Sequence, residues 1–409
     1  MSMKSVLSKE LELISLSRDE ILRLSSVSKD FISSLKRAGL RAYVGGSLAK
    51  GTLVKKGKQD VDIFVVFDFS EDILKLEKVL KKMKLPGTLS KVHGSRDYFQ
   101  IDCDDVILEV VPVVKNKDPE MAENVTDVSL SHVKYIVGAL KKNPKLADEI
   151  KLAKTFCYAN RCYGAESYVK GFSGYSLEIL VIHFGGFVKF LKGIAKVRVV
   201  DPLKYFKGER DVLNEINASK LVSPIVVVDP TYKYRNVTAG LGHETFRKFN
   251  EIVKSFLKSP SLEFFEKKEI DVEGIRKFAG KKKAKFVELD LKTDRQEGDI
   301  AGTKMKKLLD FFARELVRKG QSVLTKEFDY SNVGQKAKGY LVVGEKLEIE
   351  VRGPSVGLQD AVKAFKKAKG KNVFARKGFW WFKEKVSIES IFELVKKVSG
   401  EMGSSGKLV

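Results

Sequence analysis

The segment Gly45-Gly46-Ser47-Leu48-Ala49-Lys50-Gly51-Thr52, then a basic loop, then Asp60-Val61-Asp62-Ile63-Phe64-Val65-Val66, constrains this chain more than any other stretch. It reads as strand (Arg41 to Val44), glycine turn, short helix opened by Ser47, loop and second strand. Adjacent glycines permit positive φ and a close approach of backbone to a ligand. A hydroxyl and free N–H groups at a helix start suit phosphate. A strand has a side-chain period of two, so Asp60 and Asp62 project from one face. Side-by-side carboxylates are unfavourable unless a cation lies between them, and such oxygen ligands suit Mg²⁺ with substrate phosphates. A Gly-Gly turn alone, or a D-x-D strand alone, is ordinarily just a turn and a solvated face. Their spacing, with the apolar run Ile63 to Phe67 behind them, favours a phosphate cradle beside a metal site.

This pattern resembles the DNA-polymerase-β-type nucleotidyltransferase superfamily. With 409 residues the chain is long enough for two to four domains. Lys+Arg 76 against Asp+Glu 53 gives a net charge of +23, which points to a polyanionic partner, nucleic acid first. The three cysteines, Cys103, Cys157 and Cys162, form no C-x-x-C. A disulfide framework and a cysteine zinc site are therefore disfavoured, and buried thiols in a reducing compartment are expected. Met1 to Glu10 lacks an apolar leader core, and Leu177 to Leu191 is too short and too charged to span a bilayer. A cytoplasmic protein without membrane partners is expected.

Helical periodicity marks Ser5 to Ile14, Asp19 to Ala38, Ser70 to Lys84 (capped by Ser70), Ser129 to Lys142, Asp148 to Arg161, Tyr175 to Lys196 and Thr245 to Lys258. Strands are expected at Leu89 to His93, Asp97 to Asp102, Val106 to Val114 and Val222 to Val228. Glu109 interrupts an otherwise apolar strand, which is costly unless the carboxylate is paired or metal-bound. After Lys267 the sequence becomes lysine-rich and less helical. Strands at Ala284 to Leu291, Ser322 to Tyr330, Gly339 to Val343 and Leu347 to Val351 alternate with helices Thr303 to Gly320 and Leu358 to Lys369, a small α+β module. At least two of Phe379, Trp380, Trp381 and Phe382 are expected in a core. Ile388 to Val398 reads as a last helix, and Ser399 to Val409 as frayed.

The fold class is thus α+β: a polymerase-β-like palm at 1–118, a mainly helical central domain at 119–266 and a basic α+β tail at 267–409. Asp60, Asp62 and Glu109 are the catalytic and metal-binding candidates, holding two Mg²⁺ ions. Asp62 or Glu109 would take the proton from an attacking hydroxyl. Gly46, Ser47 and Lys50 would hold triphosphate oxygens.

Beyond the superfamily, most of the first 265 residues resemble the archaeal-type (class I) CCA-adding tRNA nucleotidyltransferases. The carrying segments are Gly46-Ser47 through Asp62, Glu109 to Pro112, Ser129 to His132, and Lys154 with Tyr163 to Glu166. Gly171 to Tyr175, Asp229-Pro230 with Arg235 to Val237, and Pro260 to Phe265 complete the set. The resemblance implies template-independent addition of C, C and A to a tRNA 3′ end from CTP and ATP. It implies that Ser129, His132, Lys154 and Tyr163 line the nucleotide pocket, with Arg235 near the base edge. Tyr163 before Gly-Ala-Glu, or a lone helical histidine, is otherwise ordinary packing. The chain departs from the family pattern at Lys50 (usually Arg), at Glu109 (often Asp) and in the loop Leu53 to Gln59, which carries Lys55, Lys56 and Lys58. That loop is a candidate for positioning the primer end.

The tRNA acceptor and T arms would meet Lys281, Lys282, Lys283, Lys366, Lys367, Lys371, Arg376 and Lys377. No DNA partner is expected, and the resemblance leaves a homodimer open. The alternatives are another polymerase-β-type enzyme, such as a poly(A) polymerase, and a non-catalytic RNA-binding protein on the same fold.

Overall fold

The computed structural model describes residues 2–94, 96–116, 119, 122, 124–295, 297–331, 333–344, 346, 348–401 and 403–409, without the side chains of Val125 and Lys371. It divides into two compact units, Met1–Lys268 and Glu269–Val409. The expected boundary at 118/119 falls among residues that are only partly described.

The first unit opens with α1 (Met3–Ile14) and α2 (Arg18–Arg37). A capping box starts α2: Ser17 Oγ accepts from Glu20 N at 3.2 Å and Glu20 Oε2 accepts from Ser17 N at 2.7 Å. Next come β1 (Arg41–Val44), α3 (Gly46–Lys50), β2 (Gln59–Phe67), α4 (Leu74–Lys82), β3 (Thr88–Val92), β4 (Tyr98–Cys103) and β5 (Val106–Val114). The strands form one sheet in the order β1-β2-β5-β4-β3. β2 and β5 run parallel; every other pair is antiparallel. One face buries Val61, Ile63, Val65, Leu108 and Val110 against Leu24, Phe31 and Leu35 of α2 and Leu76 and Leu80 of α4. The opposite face carries Asp60, Asp62 and Glu109 at one end and Phe64, Val66 and Val113 at the other. Ser70 does not cap the fourth helix: Ser70–Ile73 is a 3-10 turn leading into α4.

A second set of elements follows: α5 (Ser129–Lys142), α6 (Leu146–Ala159), α7 (Gly174–Phe184), α8 (Phe187–Gly193), β6 (Val199–Val200), α9 (Glu209–Glu215), β7 (Val226–Asp229), β8 (Tyr232–Asn236) and α10 (His243–Lys258). Their core is phenylalanine-rich. The Phe156 ring lies 5.2 Å from Phe256, 5.5 Å from Phe187 and 5.6 Å from Phe265, centroid to centroid, within the range of favourable edge and tilted aromatic pairs. The expected helix Tyr175 to Lys196 is broken because Gly185 and Gly186 take φ +74° and +134°, and Phe187 N then donates to Glu149 Oε2 at 2.6 Å. The expected strand from Val222 starts only at Val226.

Asp127 ties the entry of α5 to the sheet. Arg96 forms an ion pair with its fully buried carboxylate, and Val114 N donates to Asp127 Oδ1 at 2.8 Å. Behind them, Phe64, Val66 and Val113 pack on Leu130 and Val133 of α5. The sheet and the helices thus share one compact unit.

The second unit contains α11 (Val272–Lys281), β9 (Lys285–Thr293), α12 (Asp299–Arg318), β10 (Ser322–Asp329), β11 (Lys336–Gly344), β12 (Glu348–Ser355), α13 (Gln359–Lys369), β13 (Val373–Arg376), β14 (Phe379–Lys385), α14 (Ile388–Ser399) and β15 (Ser404–Leu408). One antiparallel sheet has the order β10-β11-β9-β15, and a smaller one β12-β14-β13. The stretch expected to fray is therefore corrected: β15 pairs with β9 from Ser404↔Thr293 to Leu408↔Leu289. α11 falls in a segment expected to be less helical. Leu347, the expected start of β12, lies outside the described residues. Of the four aromatics at 379–382 only Phe382 is buried. Among the cysteines, Cys157 and Cys162 are buried and Cys103 is half-buried. Among the described residues no helix is long and apolar enough to cross a membrane.

Glu10 of α1 is 4% exposed, and burial together with Glu266 pushes its carboxyl up to about 7. A folded-state value above the unfolded one means that folding takes up a proton between pH 4.5 and about 7, so stability falls as pH rises through that window. Glu10→Gln removes this penalty. Thermal unfolding should show the variant melting about 2–4 °C above the parent at pH 8, with the difference gone at pH 4.

Candidate functional site

Gly46 has φ +54°, and a Cβ placed on it would lie 1.6 Å from Asp62 Oδ2. Only glycine fits that turn. Gly45 N donates to Asp62 O at 2.8 Å, which holds the start of α3 against β2. α3 is five residues long, so Ser47 and Lys50 sit on little more than one helical turn.

The parallel register pairs Asp62 with Glu109 and Asp60 with Ile107. Directly paired residues share a face, so the three expected carboxylates are brought to one face of adjacent strands. Burial, with Asp60 adding and Lys50 opposing, raises the Asp62 carboxyl above its ordinary value. Burial and Asp62 push Glu109 up to about 7, against the hydrogen bond that Glu109 Oε1 accepts from Gln100 Nε2 at 2.8 Å. Asp60 forms an ion pair with Lys56 of the basic loop. Lys58 of the same loop reaches Asp102 at 2.7 Å, and Lys55 reaches Glu20 at 3.4 Å. Among the described residues no three His, Cys, Asp or Glu side chains are drawn together as a ready metal centre. The carboxylates are neighbours in register, with Asp60 paired to Lys56 and Glu109 bonded to Gln100.

The expected nucleotide-binding cations are gathered by two acids given no role in the expectations from sequence, although Asp229 lies in a segment that carries the resemblance. The first is Glu178 of α7, 1% exposed. It accepts from Lys50 Nζ at 2.8 Å and, through its other oxygen, from Lys154 Nζ at 2.7 Å and Thr52 Oγ1 at 3.1 Å. Lys154 Nζ also donates to Thr52 Oγ1 at 2.9 Å. Burial alone would raise the Glu178 carboxyl, but the two ammonium groups overcome it and hold it down at about 2. Burial pulls the Lys154 ammonium below its ordinary value, with Glu178 opposing.

The second acid is Asp229, fully buried at the end of β7. Its Oδ2 accepts from Arg235 Nη1 at 2.6 Å and lies 3.2 Å from His132 Nε2. Its Oδ1 accepts from Tyr175 OH at 3.0 Å and from Thr231 N and Oγ1 at 2.8 Å. Burial works against its charge, yet these partners keep it well below the usual carboxylate range. His132 stacks on Tyr175 with centroids 3.9 Å apart, and Lys50 Nζ lies 5.7 Å from the same ring. Burial lowers the His132 value, which keeps the imidazole neutral near pH 7. His132 Nε2 lies 3.1 Å from Arg235 Nη1, so it accepts from arginine in one tautomer and donates to Asp229 in the other.

Tyr163 bridges to Phe172, and its hydroxyl is 2.9 Å from where a Cβ on Gly174 would stand. Burial, with Glu178 and Asp62 among its charged neighbours, raises its phenol. Ser129 opens α5 one turn before His132 and is half-buried. Gly46, Ser47, Lys50, His132, Lys154, Tyr163 and Arg235 all lie in the first unit, and Lys50, His132, Lys154 and Arg235 are connected through Glu178, Asp229 and Tyr175. Glu178 carries a readable signal: a glutamate inside the apolar helix Leu177 to Phe184 is as costly as Glu109 in its strand.

The tail candidates belong to the second unit. Lys281 and Lys282 end α11, with Lys282 Nζ 5.9 Å from the Phe278 ring, and Lys283 and Lys377 take φ +51° and +47°. Lys366 Nζ lies 3.7 Å from the Trp380 ring, and Arg376 Cζ 4.6 Å from Trp381. Lys367 is exposed on α13, and the side chain of Lys371 lies outside the described residues.

A nucleotidyltransferase-domain model matches residues 25–117, and a model of the second domain of tRNA nucleotidyltransferases matches residues 148–266. The CCA-adding enzyme of Nanoarchaeum equitans is 34% identical over 319 residues, 76% of this chain and 75% of that protein. Those of Methanocaldococcus jannaschii and Thermococcus kodakarensis are 31% and 33% identical over 56% and 55% of this chain. The chain spans 52% and 51% of their lengths, about half. Among solved structures, a cytoplasmic RNA terminal U-transferase matches with a TM-score of 0.51 at 12% identity, covering 64% of this chain and 98% of that one. A Cid1 poly(U) polymerase matches at 0.50 and 13%, with the same coverage. At that identity the likeness is one of fold.

Replacing Glu178 by Gln leaves two ammonium groups without a counter-charge at a buried position. Loss of one partner from a buried charge network costs about 3–5 kcal/mol. Chemical denaturation should show a fall of that order.

Proposed function

Since the chain belongs to the CCA-adding enzymes, a family of tRNA nucleotidyltransferases, we propose that it adds C, C and A to the 3′ end of tRNA from CTP and ATP. The tRNA 3′-hydroxyl attacks the α-phosphate of the nucleotide and pyrophosphate leaves. The observation that carries this reading is the register pair Asp62–Glu109 facing the Gly46 turn, with Lys50 beside it.

Nucleoside triphosphates and a divalent metal go with the nucleotidyltransferase family. The residues present fit such a metal. Burial holds Asp62 and Glu109 above their ordinary values, with Asp60 adding to the first and Asp62 to the second, despite Lys50 and Lys56 nearby, and hard oxygen donors suit Mg²⁺. Asp60, Asp62 and Glu109 would hold two such ions, which when bound acidify the hydroxyl and offset the charge of the departing pyrophosphate. The carboxylate of Asp62 or Glu109 accepts the hydroxyl proton.

Gly46 and Ser47 receive the triphosphate, and Lys50 and Lys154 meet its oxygens with the donors that Glu178 leaves free. His132 and Ser129 lie toward phosphate or ribose. Tyr163 packs on the nucleotide. Arg235, fixed by Asp229, presents its remaining donors to acceptors that C and A have in common. The division of labour is a catalytic head at 1–118, a helical part at 119–266 completing the pocket, and a basic tail at 267–409. In that tail Lys281–Lys283, Lys366, Lys367, Lys371, Arg376 and Lys377 meet the phosphates of the acceptor and T arms.

A tRNA lacking its terminal trinucleotide, incubated with Mg²⁺ and CTP and then ATP, should gain two C residues and one A. An open-ended tail would instead identify a poly(A) polymerase-like enzyme. Asp62→Ala should abolish incorporation while tRNA binding stays within about twofold; retained incorporation would refute the role given to Asp62. Replacing Lys281, Lys282 and Lys283 together by Ala should weaken tRNA binding. The slope of log affinity against log salt should become shallower by about 0.7–0.9 for each phosphate no longer neutralised.

A further inference from the structure

The small sheet β12-β14-β13 has two unlike faces. α13 packs against β12, with Phe365 5.7 Å from Phe382 and the Lys366 and Lys369 ammonium groups 3.7 and 4.2 Å from the Trp380 and Phe382 rings. The register places Arg352, Trp381 and Phe374 side by side, and Phe379 beside Arg376, on the other face. There Phe374, Phe379 and Trp381 remain partly exposed, and Arg352, Arg376 and Lys383 are exposed.

The guanidinium of Arg352 lies 4.3 Å from the Phe379 ring, and that of Arg376 lies 4.6 Å from Trp381 and 5.8 Å from Phe374. Trp381 Nε1 donates to Arg376 O at 3.1 Å, which fixes the indole. Glu350 pairs with Arg376 at 2.6 Å, but Arg352, Lys383 and Lys385 leave the face net positive after Glu348 and Glu350 are counted. Rings beside arginine also occur at protein interfaces, but the excess of cations on this face calls for a polyanion. The three rings match unpaired nucleotides, because every base has a π-face that stacks on aromatic rings or guanidinium planes while phosphates take the charge.

We propose that this open sheet face binds unpaired RNA nucleotides, with bases stacked on Phe374, Phe379 and Trp381 and phosphates met by Arg352, Arg376 and Lys383. This goes beyond a phosphate grip on paired arms, and it rests on the reading of the chain as an RNA-extending enzyme. Each ring takes its own base, so affinity depends on strandedness more than on sequence.

The test uses the full chain and fluorescence anisotropy with a labelled single-stranded oligouridylate of about eight nucleotides, beside a blunt RNA duplex of the same length. Trp381→Ala should weaken oligouridylate binding roughly 5- to 100-fold, Trp381→Phe should restore most of it, and duplex binding should change less than about twofold. Arg376→Gln, at an exposed position, should weaken the same complex and guards against misfolding of the tryptophan variant. Unchanged oligouridylate affinity in Trp381→Ala and Arg376→Gln overturns the proposal. So does an equal loss on single strand and duplex, which would be charge alone. Nucleotide addition to a 3′-truncated tRNA by the unmodified protein is measured in parallel. Its absence strikes the enzymatic reading and leaves the stacking result to stand or fall by itself.

Discussion

Two buried carboxylates organise the first unit. Glu178 and Asp229 each sit beyond the reach of water and each stay charged only because several donors converge on them. A buried anion is tolerated when its lone pairs are filled, and the donors that fill them are in turn fixed in place. Glu178 reaches across from α7 to Lys50 and Thr52 beside the sheet and to Lys154 on α6. Asp229 does the same for Tyr175, His132 and Arg235. Six side chains, Lys50, Thr52, Lys154, Tyr175, His132 and Arg235, are thereby held in place by two acids before any ligand arrives.

The charge arrangement is the complement of that set. On the sheet, Asp62 and Glu109 are carboxylates without enough donors, and burial drives them toward protonation. One side of the site therefore has carboxylates that the nearby Lys50 and Lys56 do not hold at their ordinary values, and the other has cations satisfied by anions of their own. In the proposed function, divalent ions would neutralise the first and the triphosphate would meet the donors that the second leaves over. The same contrast explains why Gly46 tolerates no side chain, since the strand carboxylate occupies the space a methyl group would need.

The Gly-Gly-Ser turn, the D-x-D strand and the main helices are legible in the sequence because each rests on a local rule of backbone freedom or periodicity. Glu109 stands out through the cost of a charge inside an apolar strand. Glu178 obeys the same rule inside an apolar helix, but helical periodicity there describes the whole stretch as core and hides its one acid. Asp229 reads locally as the end of a strand before proline, and only the tertiary fold brings Tyr175, 54 residues away, to its oxygen. The aromatic run at 379–382 reads as core because aromatics usually are. In an edge-rich three-stranded sheet with one covered face, alternate residues go outward whatever their polarity. The Gly/Ser content of 399–409 reads as a frayed end, since nothing local announces a ladder to a partner more than a hundred residues earlier.

That ladder bears on how the second unit is made. β9, formed by Lys285–Thr293, lies between β11 and β15, and its Leu289 and Leu291 are buried. Its last neighbour, Ser404–Leu408, emerges from the ribosome after every other strand of that sheet. Until then β9 presents an unpaired edge beside apolar surface, the situation in which strands find partners on other molecules. During synthesis the unit is therefore most vulnerable to aggregation until β15 has been made, and removing that strand would return β9 to its unpaired state.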